Sequence, residues 1–317
     1  MVKVRVAFGT EVLLGLRMGR LEVAPTTAHF LTYFEGRCSA GCAFCPQGRN
    51  SLGDLNMLSR VLWPSHELEK VLPALKNREF KRVCIQAVNF PGFFEDVLTL
   101  VEKIKEVSSA PISISSPPVG KGEMRKLREA GVERLCIPLD AVTEKIFVNV
   151  KNGYRWDAHL STLFSAREIF PGVTSHLIVG LGETEEEVAK LIQLLTDRKI
   201  TVGLFAFTPI KGTPLEGRKP PELSVYRRVQ LARYLIQERM VRVEEMEFEN
   251  GKIKNFSLPP EELLRVVLTG TPFMTSGCPG CNRPFYNESP SGPIYNYPRP
   301  LSTEETKAIA KLLSISP

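Results

Sequence analysis

Long apolar runs are missing from this sequence. Between residues 1 and 20 the apolar pieces are short, and charged side chains interrupt them at Arg5, Glu11, Arg17 and Arg20. No later window is long enough for a membrane span. The sequence therefore predicts neither a signal peptide nor a membrane protein, and we expect the chain in the cytoplasm. In that reducing compartment the seven cysteines are more often metal ligands or catalytic groups than disulfides, and their odd number agrees with this.

Clusters of basic residues are missing as well. Lys and Arg exceed Asp and Glu by 41 to 35, which gives a formal net charge of +6, and the excess is spread along the chain. Nucleic-acid binding usually shows as clustered Lys and Arg with aromatic residues between them, so the sequence argues against it. The mild excess gives weak support for an acidic partner. With 43% hydrophobic and 24% charged residues, the composition is that of a globular protein.

Between about residue 29 and residue 238, short β-branched apolar runs alternate with stretches whose apolar residues recur every three or four positions. This alternation predicts six strand-helix units and a parallel sheet. Six units are two fewer than an eight-fold barrel has, so the pattern alone leaves open a partial barrel or a doubly wound sheet. The predicted strands cover residues 30–34, 82–88, 111–115, 134–139, 174–181 and 201–209, and the predicted helices cover residues 66–76, 93–107, 121–130, 157–169, 184–196 and 222–238.

Beyond residue 240 the character of the sequence changes. A hairpin is predicted to turn at Asn250-Gly251, and a short helix is predicted at 260–268. A loop rich in Gly, Pro, Asn and Tyr follows, and a last helix is predicted at 303–314. We therefore divide the chain into an N-terminal extension (1–28), an α/β domain (29–240) and a C-terminal extension (241–317).

Three cysteines, Cys38, Cys42 and Cys45, lie in the loop directly after the first predicted strand. In a parallel barrel this loop belongs to the carboxyl-terminal face, where active sites form. Three thiolates can bind three irons of a cubic cluster and leave the fourth iron open to an external ligand. A zinc site would normally need a fourth ligand, for which His66 is the nearest downstream candidate.

The spacing CxxxCxΦC, with Phe44 as the aromatic residue, resembles the signature of radical S-adenosylmethionine enzymes. A zinc knuckle or a chance cluster of cysteines are the alternatives. The resemblance implies a partial (β/α)6 TIM-type barrel and a 4Fe-4S cluster whose open iron binds the amino and carboxylate groups of S-adenosylmethionine. It also implies that an external electron donor reduces the cluster, and that cleavage of the cofactor gives methionine and a 5′-deoxyadenosyl radical.

Four stretches carry a closer resemblance: residues 83–89, 136–140, 178–184 and 209–215. Through them, residues 31–243 resemble biotin synthase and its lipoyl-synthase relatives. The resemblance implies that Asp140 hydrogen-bonds the ribose hydroxyls of the cofactor, while the alternative is that Asp140 caps the next helical turn. Phe44, Gln86 and Glu183 are our other candidates for cofactor contact, although Glu183 can instead help to start the helix at 184–196.

Biotin synthase has a second, sulfur-donating cluster bound by cysteines of three barrel strands and an arginine. Cys84 matches one of those cysteines, but Ser113 and Thr174 fall near the other two positions, so a second cluster of that kind is not expected. Four cysteines remain outside the first loop, which is enough for one further 4Fe-4S cluster: Cys84, Cys136, Cys278 and Cys281.

Each of these four cysteines has an alternative role. Cys84 and Cys136 can be small buried apolar side chains, and a CxxC pair such as Cys278 and Cys281 can be a zinc or redox site. Serine is a known ligand of the second cluster in ordinary lipoyl synthase, and the same tail contains Ser276, Ser289 and Ser291. For the pair to supply a cluster ligand, we expect the loop at 276–291 to fold over the barrel mouth.

The tail from Cys278 onwards resembles one subunit of the two-protein archaeal-type lipoyl synthase, and residues 1–37 lack the extra cysteine trio of the single-chain enzyme. This resemblance implies sulfur insertion into the octanoyl chain of a lipoyl carrier protein, with a paralogous partner subunit. Such a substrate needs an apolar tunnel into the barrel. The alternatives are another sulfur-inserting or methylthiolating radical enzyme, and a non-catalytic iron-sulfur or zinc interaction protein.

Overall fold

A computed structural model describes residues 2–315. Its strands are β1 (Lys3–Val6), β2 (Thr27–Thr32), β3 (Gly41–Cys42), β4 (Met57–Leu58), β5 (Val61–Leu62), β6 (Ser65–Glu67), β7 (Arg82–Gln86), β8 (Ile112–Ser115), β9 (Val132–Cys136), β10 (Lys151–Asn152), β11 (Gly172–Val179), β12 (Thr201–Ala206), β13 (Glu247–Glu249) and β14 (Lys252–Asn255). Its helices are α1 (Phe8–Leu13), α2 (Leu68–Lys76), α3 (Phe93–Val107), α4 (Lys121–Glu129), α5 (Glu144–Val150), α6 (Trp156–Ile169), α7 (Glu185–Asp197), α8 (Leu223–Gln237), α9 (Pro260–Leu268) and α10 (Thr303–Leu312), with short 3-10 turns at Val243–Glu245 and Thr271–Phe273.

Eight strands form one sheet in the order β12-β11-β9-β8-β7-β2-β1-β6. The six strands from β2 to β12 are parallel and alternate along the chain with helices, so the predicted strand-helix units are confirmed. The sheet is open, with β12 and β6 at its two edges. This mostly parallel α/β architecture is that of a partial barrel.

Side chains of the parallel strands alternate between two environments. Val83 and Ile85 of β7 are fully buried in the main core, which also contains one face of α3. Cys84 and Gln86, the intervening residues, line interior cavities. The period of two in β7 therefore decides which side chains pack against helices and which reach the inside of the barrel.

The first 28 residues, which we predict to be an extension, contribute a strand to the main sheet. β1 pairs antiparallel with both β2 and β6, and Val4 and Val6 are fully buried. β2 begins at Thr27, before the boundary that we place after residue 28. The division into three segments stays a prediction, and its outermost residues 1, 316 and 317 lie outside the described part of the chain.

The C-terminal elements follow the predicted pattern. The hairpin β13–β14 turns at Asn250-Gly251, and α9 and α10 lie where helices are predicted. Between them, residues 275–297, which we call the tail segment, run along the open side of the barrel. The edge strand β12 donates the backbone N–H of Leu204 to Ser276 Oγ at 2.9 Å, and the buried guanidinium of Arg227 donates to the carbonyls of Ile294 and Tyr295. Among the described residues, no helix is both long and apolar enough to cross a membrane.

Candidate functional site

The loop after β2, residues 38–45, is fixed by its own backbone and by a neighbouring strand. The N–H of Cys38 donates to the carbonyl of Gln47 at 2.9 Å, and the N–H of Cys45 donates to the carbonyl of Cys42 at 3.1 Å. β3 pairs with β10, which places Lys151 opposite Cys42. The side chain of Gln47 donates to two further carbonyls at 2.7 Å. This cluster loop therefore presents its three thiols in a defined arrangement.

All three cysteines of the cluster loop line one cavity of about 190 Å³ at the carboxyl-terminal ends of the strands. Three of the four cofactor candidates, Phe44, Gln86 and Asp140, line the same cavity. Phe44 also packs in an apolar cluster with Phe147 and Phe207. The structure thus brings the CxxxCxΦC loop together with the ends of β7 and β9.

Asp140 faces this first cavity in a left-handed backbone conformation, with φ of 61°. Its Oδ2 atom lies 2.9 Å from Nζ of Lys151, whose side chain is 4% exposed. The same ammonium group donates to the carbonyl of Pro138 at 2.6 Å. Helix α5 is capped by Thr143 instead, whose hydroxyl accepts the N–H of Ile146. The helix-cap alternative for Asp140 is therefore wrong, and its partner in the structure is a buried lysine.

Glu183 lies outside the cavity lined by the other candidates. Its two carboxylate oxygens accept the backbone N–H groups of Gly180 and Leu181, so they close their own turn. Helix α7 begins with a capping box formed by Thr184 and Glu187. Glu183 therefore closes the turn after β11 and does not cap helix α7, while its contact with the cofactor stays a prediction.

A second cavity of about 160 Å³ lies deeper in the barrel and is lined by Cys84, Cys278 and Cys281. The two cavities adjoin and share part of their walls. Six residues border both: Phe44, Cys45, Leu58, Gln86, Asp140 and His176. Cys278 Sγ lies 3.7 Å from the hydroxyl of Ser113 and 4.0 Å from that of Thr174. These are the two positions where the sequence comparison with biotin synthase finds no cysteine.

Cys136 differs from the other three cysteines. It is 2% exposed in β9 and lines neither cavity. Burial raises the pKa of its thiol, and the nearby Cys278 raises it further. Burial likewise raises the pKa of Cys84 and of Cys281. Cys136 is therefore near Cys278 but more enclosed than the cysteines that line the cavity.

The tail segment reaches the barrel interior from the amino-terminal ends of the strands, so the expectation that it folds over the barrel mouth is wrong. The carbonyl of Pro279 accepts Nε–H of Arg82, the first residue of β7, at 3.2 Å. The carbonyl of Gly280 accepts the hydroxyl of Thr26, which directly precedes β2. The sheet is open at the edge strand β12, which leaves room for the tail segment beside the barrel. The tail segment runs along this open side until Asn287 lies beside Thr208.

Sequence reasoning missed three basic side chains of the second cavity: His29, His176 and Arg283. Burial lowers the pKa of His29 and of His176 to about 3, and the positive charge of Arg283 adds to the effect. The guanidinium of Arg283 lies 3.8 Å from the ring centroid of Phe205. The position of His176 could have been predicted, because it lies two residues after Thr174 and therefore on the same face of a predicted strand. His29 lies just outside the predicted first strand, and Arg283 lies in a loop without periodicity.

The three thiols of the cluster loop are a donor set that suits a cubic iron-sulfur cluster. Within residues 2–315, no three His, Cys, Asp or Glu side chains converge on one point as a mononuclear site requires. In a cube each thiolate binds a different iron, so the three sulfurs can stand further apart. Burial raises the pKa of Cys42, and that of Cys45 to about 12, whereas a bound metal deprotonates a thiol outright.

An open, mostly parallel α/β barrel with a three-thiol loop after its first parallel strand defines a class of iron-sulfur enzyme. The sequence model of the radical SAM superfamily matches residues 33–195, just over half of the chain. The chain therefore belongs to the radical SAM superfamily, whose members use a 4Fe-4S cluster and S-adenosylmethionine.

Similar proteins agree with this family. The chain is 27% identical over 237 residues to a biotin synthase of Clostridium acetobutylicum, covering 71% of this chain and 69% of the relative. It is 30% identical over 193 residues to a biotin synthase of Hydrogenobaculum, covering 59% of this chain and 57% of the relative. The crystal structure of methylornithine synthase superposes with a TM-score of 0.54 at 19% identity, over 73% of this chain and 65% of the other. The structural likeness shows the fold alone.

Proposed function

We propose that this chain is a subunit of a two-protein lipoyl synthase and inserts sulfur into the octanoyl chain carried by a lipoyl carrier protein. The observation that carries the proposal is the position of the cysteines outside the cluster loop. Cys84, Cys278 and Cys281 line a cavity that adjoins the one lined by the cluster loop. A carbon centre activated in the first cavity therefore has bound sulfur as its neighbour.

The cluster loop would hold the 4Fe-4S cluster, which together with S-adenosylmethionine supplies hydrogen abstraction from unactivated C–H bonds. Gln86, Asp140 and Lys151 border the first cavity and offer an amide, a carboxylate and an ammonium group to the polar parts of the cofactor. Phe44 lines the same space and would help to shield it from water. In this proposal the protein binds, orients and shields, and the cofactors supply the reactivity.

A second 4Fe-4S cluster would be the sulfur source, with Cys278, Cys281 and Cys84 as ligands and Cys136 as the remaining candidate. Sulfide dissolved in water could not reach a short-lived carbon radical inside the barrel before that radical is quenched, so the sulfur donor must be bound to the protein. Arg283 contributes a positive charge beside these thiols. Such a charge offsets the negative charge that the thiolates bring to a cluster.

The second cavity also has apolar walls suited to an alkyl chain. Leu58, Ile178, Phe205 and Phe207 border it alongside the cysteines. An octanoyl group can bury its carbons against such side chains while its amide end remains near the carrier. The carrier protein, the paralogous partner subunit and the external electron donor belong to the proposal.

Anaerobic turnover of an octanoylated carrier domain tests the proposal. The chain, alone and with its partner subunit, is incubated with S-adenosylmethionine and a reductant, and the intact mass of the carrier is measured. We expect a mass increase of one or two sulfur atoms, as C–H bonds of the octanoyl chain become C–SH bonds. An unmodified carrier in the presence of both subunits, with cofactor cleavage proceeding, would contradict the proposal.

Another sulfur-inserting or methylthiolating activity is the second candidate, and the biotin synthase relatives favour it. It would use the same two sets of cysteines. The two candidates differ in the substrate that gains sulfur and in whether a methyl group accompanies it. The same mass measurement, applied to dethiobiotin and to the octanoylated carrier in parallel, separates them.

A further inference from the structure

His29 has no role in the function proposed above, yet it lies beside the second group of cysteines. In β2 it pairs in register with Cys84 of β7, so both side chains face the barrel interior. Its Nε2 atom lies 3.7 Å from Sγ of Cys281. The residue is 1% exposed. His29 is therefore the imidazole next to one strand cysteine and one tail cysteine.

The surroundings of the ring decide which nitrogen carries the proton. Nδ1 of His29 is buried and forms no hydrogen bond of normal geometry among the described residues, although the backbone of Thr27 lies near the ring. A proton on Nδ1 would leave that N–H without an acceptor in normal hydrogen-bond geometry, and it would turn the lone pair of Nε2 towards the lone pairs of the thiolate that a cluster requires. A proton on Nε2 has Cys281 Sγ as its acceptor and leaves only one lone pair unsatisfied. Buried N–H groups without acceptors are rarer than unsatisfied lone pairs.

Backbone hydrogen bonds and aromatic neighbours hold the imidazole of His29 in place. The backbone N–H of His29 donates to Thr10 Oγ1 at 3.0 Å, and its carbonyl accepts the N–H of Ala7 at 3.1 Å. The ring packs against Tyr286 with centroids 5.2 Å apart and against Trp63 at 6.4 Å. With backbone and ring both held, Nε2 keeps its direction towards the tail cysteine.

We propose that His29 is a positioning residue of the second cluster, which donates Nε2–H to the sulfur of Cys281 and thereby raises the reduction potential of that cluster. A hydrogen bond draws negative charge from the ligand sulfur and so favours the reduced, more negative state of the cluster. The inference rests on the proposed function only in requiring that a second cluster is bound. It does not require sulfur to leave that cluster.

The test uses the full chain with all three cluster-loop cysteines replaced by alanine, so that the second cluster alone gives a signal. In this parent, His29→Leu removes the donor, whereas His29→Gln keeps an N–H group at a similar reach. Iron content is measured first, and the potential is then obtained by reductive titration followed by electron paramagnetic resonance. We expect a lower potential in the leucine variant and a potential near that of the parent in the glutamine variant.

If the leucine variant does not bind iron, pulsed electron paramagnetic resonance on the parent still tests the inference. We expect one weakly coupled nitrogen and one exchangeable proton near the cluster, and both should be lost or altered in the glutamine variant. A strongly coupled nitrogen would mean direct ligation and would overturn the inference, as would the absence of nitrogen coupling. An unshifted potential in an iron-replete leucine variant would also overturn it. If the parent binds no second cluster, both the inference and the proposed sulfur source are wrong. The other outcomes concern the inference alone and leave the proposed function intact.

Discussion

Replacing Asp140 by asparagine is expected to destabilise the chain, because it leaves the ammonium group of Lys151 without its carboxylate. The two charged atoms lie 2.9 Å apart, and the side chains are only 13% and 4% exposed. Removing one partner of a buried ion pair costs about 3–5 kcal/mol of unfolding free energy. The carbonyl of Pro138 still accepts from Nζ in the variant, so we expect the lower end, about 3 kcal/mol.

Asparagine is the appropriate substitution at this position. Asp140 has φ of 61°, and asparagine tolerates the left-handed region better than alanine does. The matched second change is Lys151→Met, made alone and together with Asp140→Asn. If the loss comes from the uncompensated ammonium, the double variant should be more stable than the Asp140 single variant, since replacing both partners of a buried pair is often close to neutral.

Urea unfolding under anaerobic conditions, followed by circular dichroism, measures these differences if the dependence on urea is the same in all variants. Binding of S-adenosylmethionine is measured on the same preparations at a temperature where each variant is folded. A loss of less than about 1 kcal/mol in Asp140→Asn, or a double variant no more stable than that single variant, would refute the importance of the buried pair.

Three further predictions concern the cysteines and a buried acid. Replacing any one cluster-loop cysteine by alanine should abolish formation of 5′-deoxyadenosine while the melting temperature changes little, and undiminished formation would contradict the assignment. Joint replacement of Cys278 and Cys281 by alanine should leave uncoupled cofactor cleavage intact, lower the iron content by one cluster and eliminate thiolated product; full iron content would show that the pair is structural. Burial raises the pKa of Glu288 to about 7 from the ordinary 4.5, so between these pH values the folded state retains a proton that the unfolded state loses. The free energy of unfolding should therefore fall as the pH rises from 4.5 to 7, by at most about 1.4 kcal/mol per pH unit. Glu288→Gln should flatten that slope in urea titrations at several pH values, and an unchanged slope would exclude Glu288 as its origin.

The repeating part of the fold could be predicted because its signal is local. Apolar spacing of three to four residues predicts α3 at its observed limits, and alternating apolar residues predict β7 and β8 closely. The sequence does not predict β1 and β6, because strands of four and three residues contain too few positions to show a period. The position of the cluster loop followed from its place directly after a parallel strand.

Long-range contacts could not be predicted from local patterns. The ion pair of Asp140 depends on α5 and β10, which return Lys151 to the end of β9. The direction from which the tail segment enters the barrel depends on which side of the sheet is open. No spacing in the sequence relates Cys281 to His29, which lies 252 positions earlier. In each case the contact is set by the three-dimensional arrangement of the domain and not by neighbours in the chain.

The origin of the inserted sulfur is the most direct test of the central claim. The chain is reconstituted anaerobically with a heavy sulfur isotope in its clusters, freed of unbound sulfide, and allowed a single turnover with an octanoylated carrier domain in the presence of its partner subunit. The account predicts heavy sulfur in the carrier product of the unmodified chain and no labelled product when Cys278 and Cys281 are replaced by alanine. A thiolated carrier without heavy sulfur, or labelled product from the double variant, would contradict it.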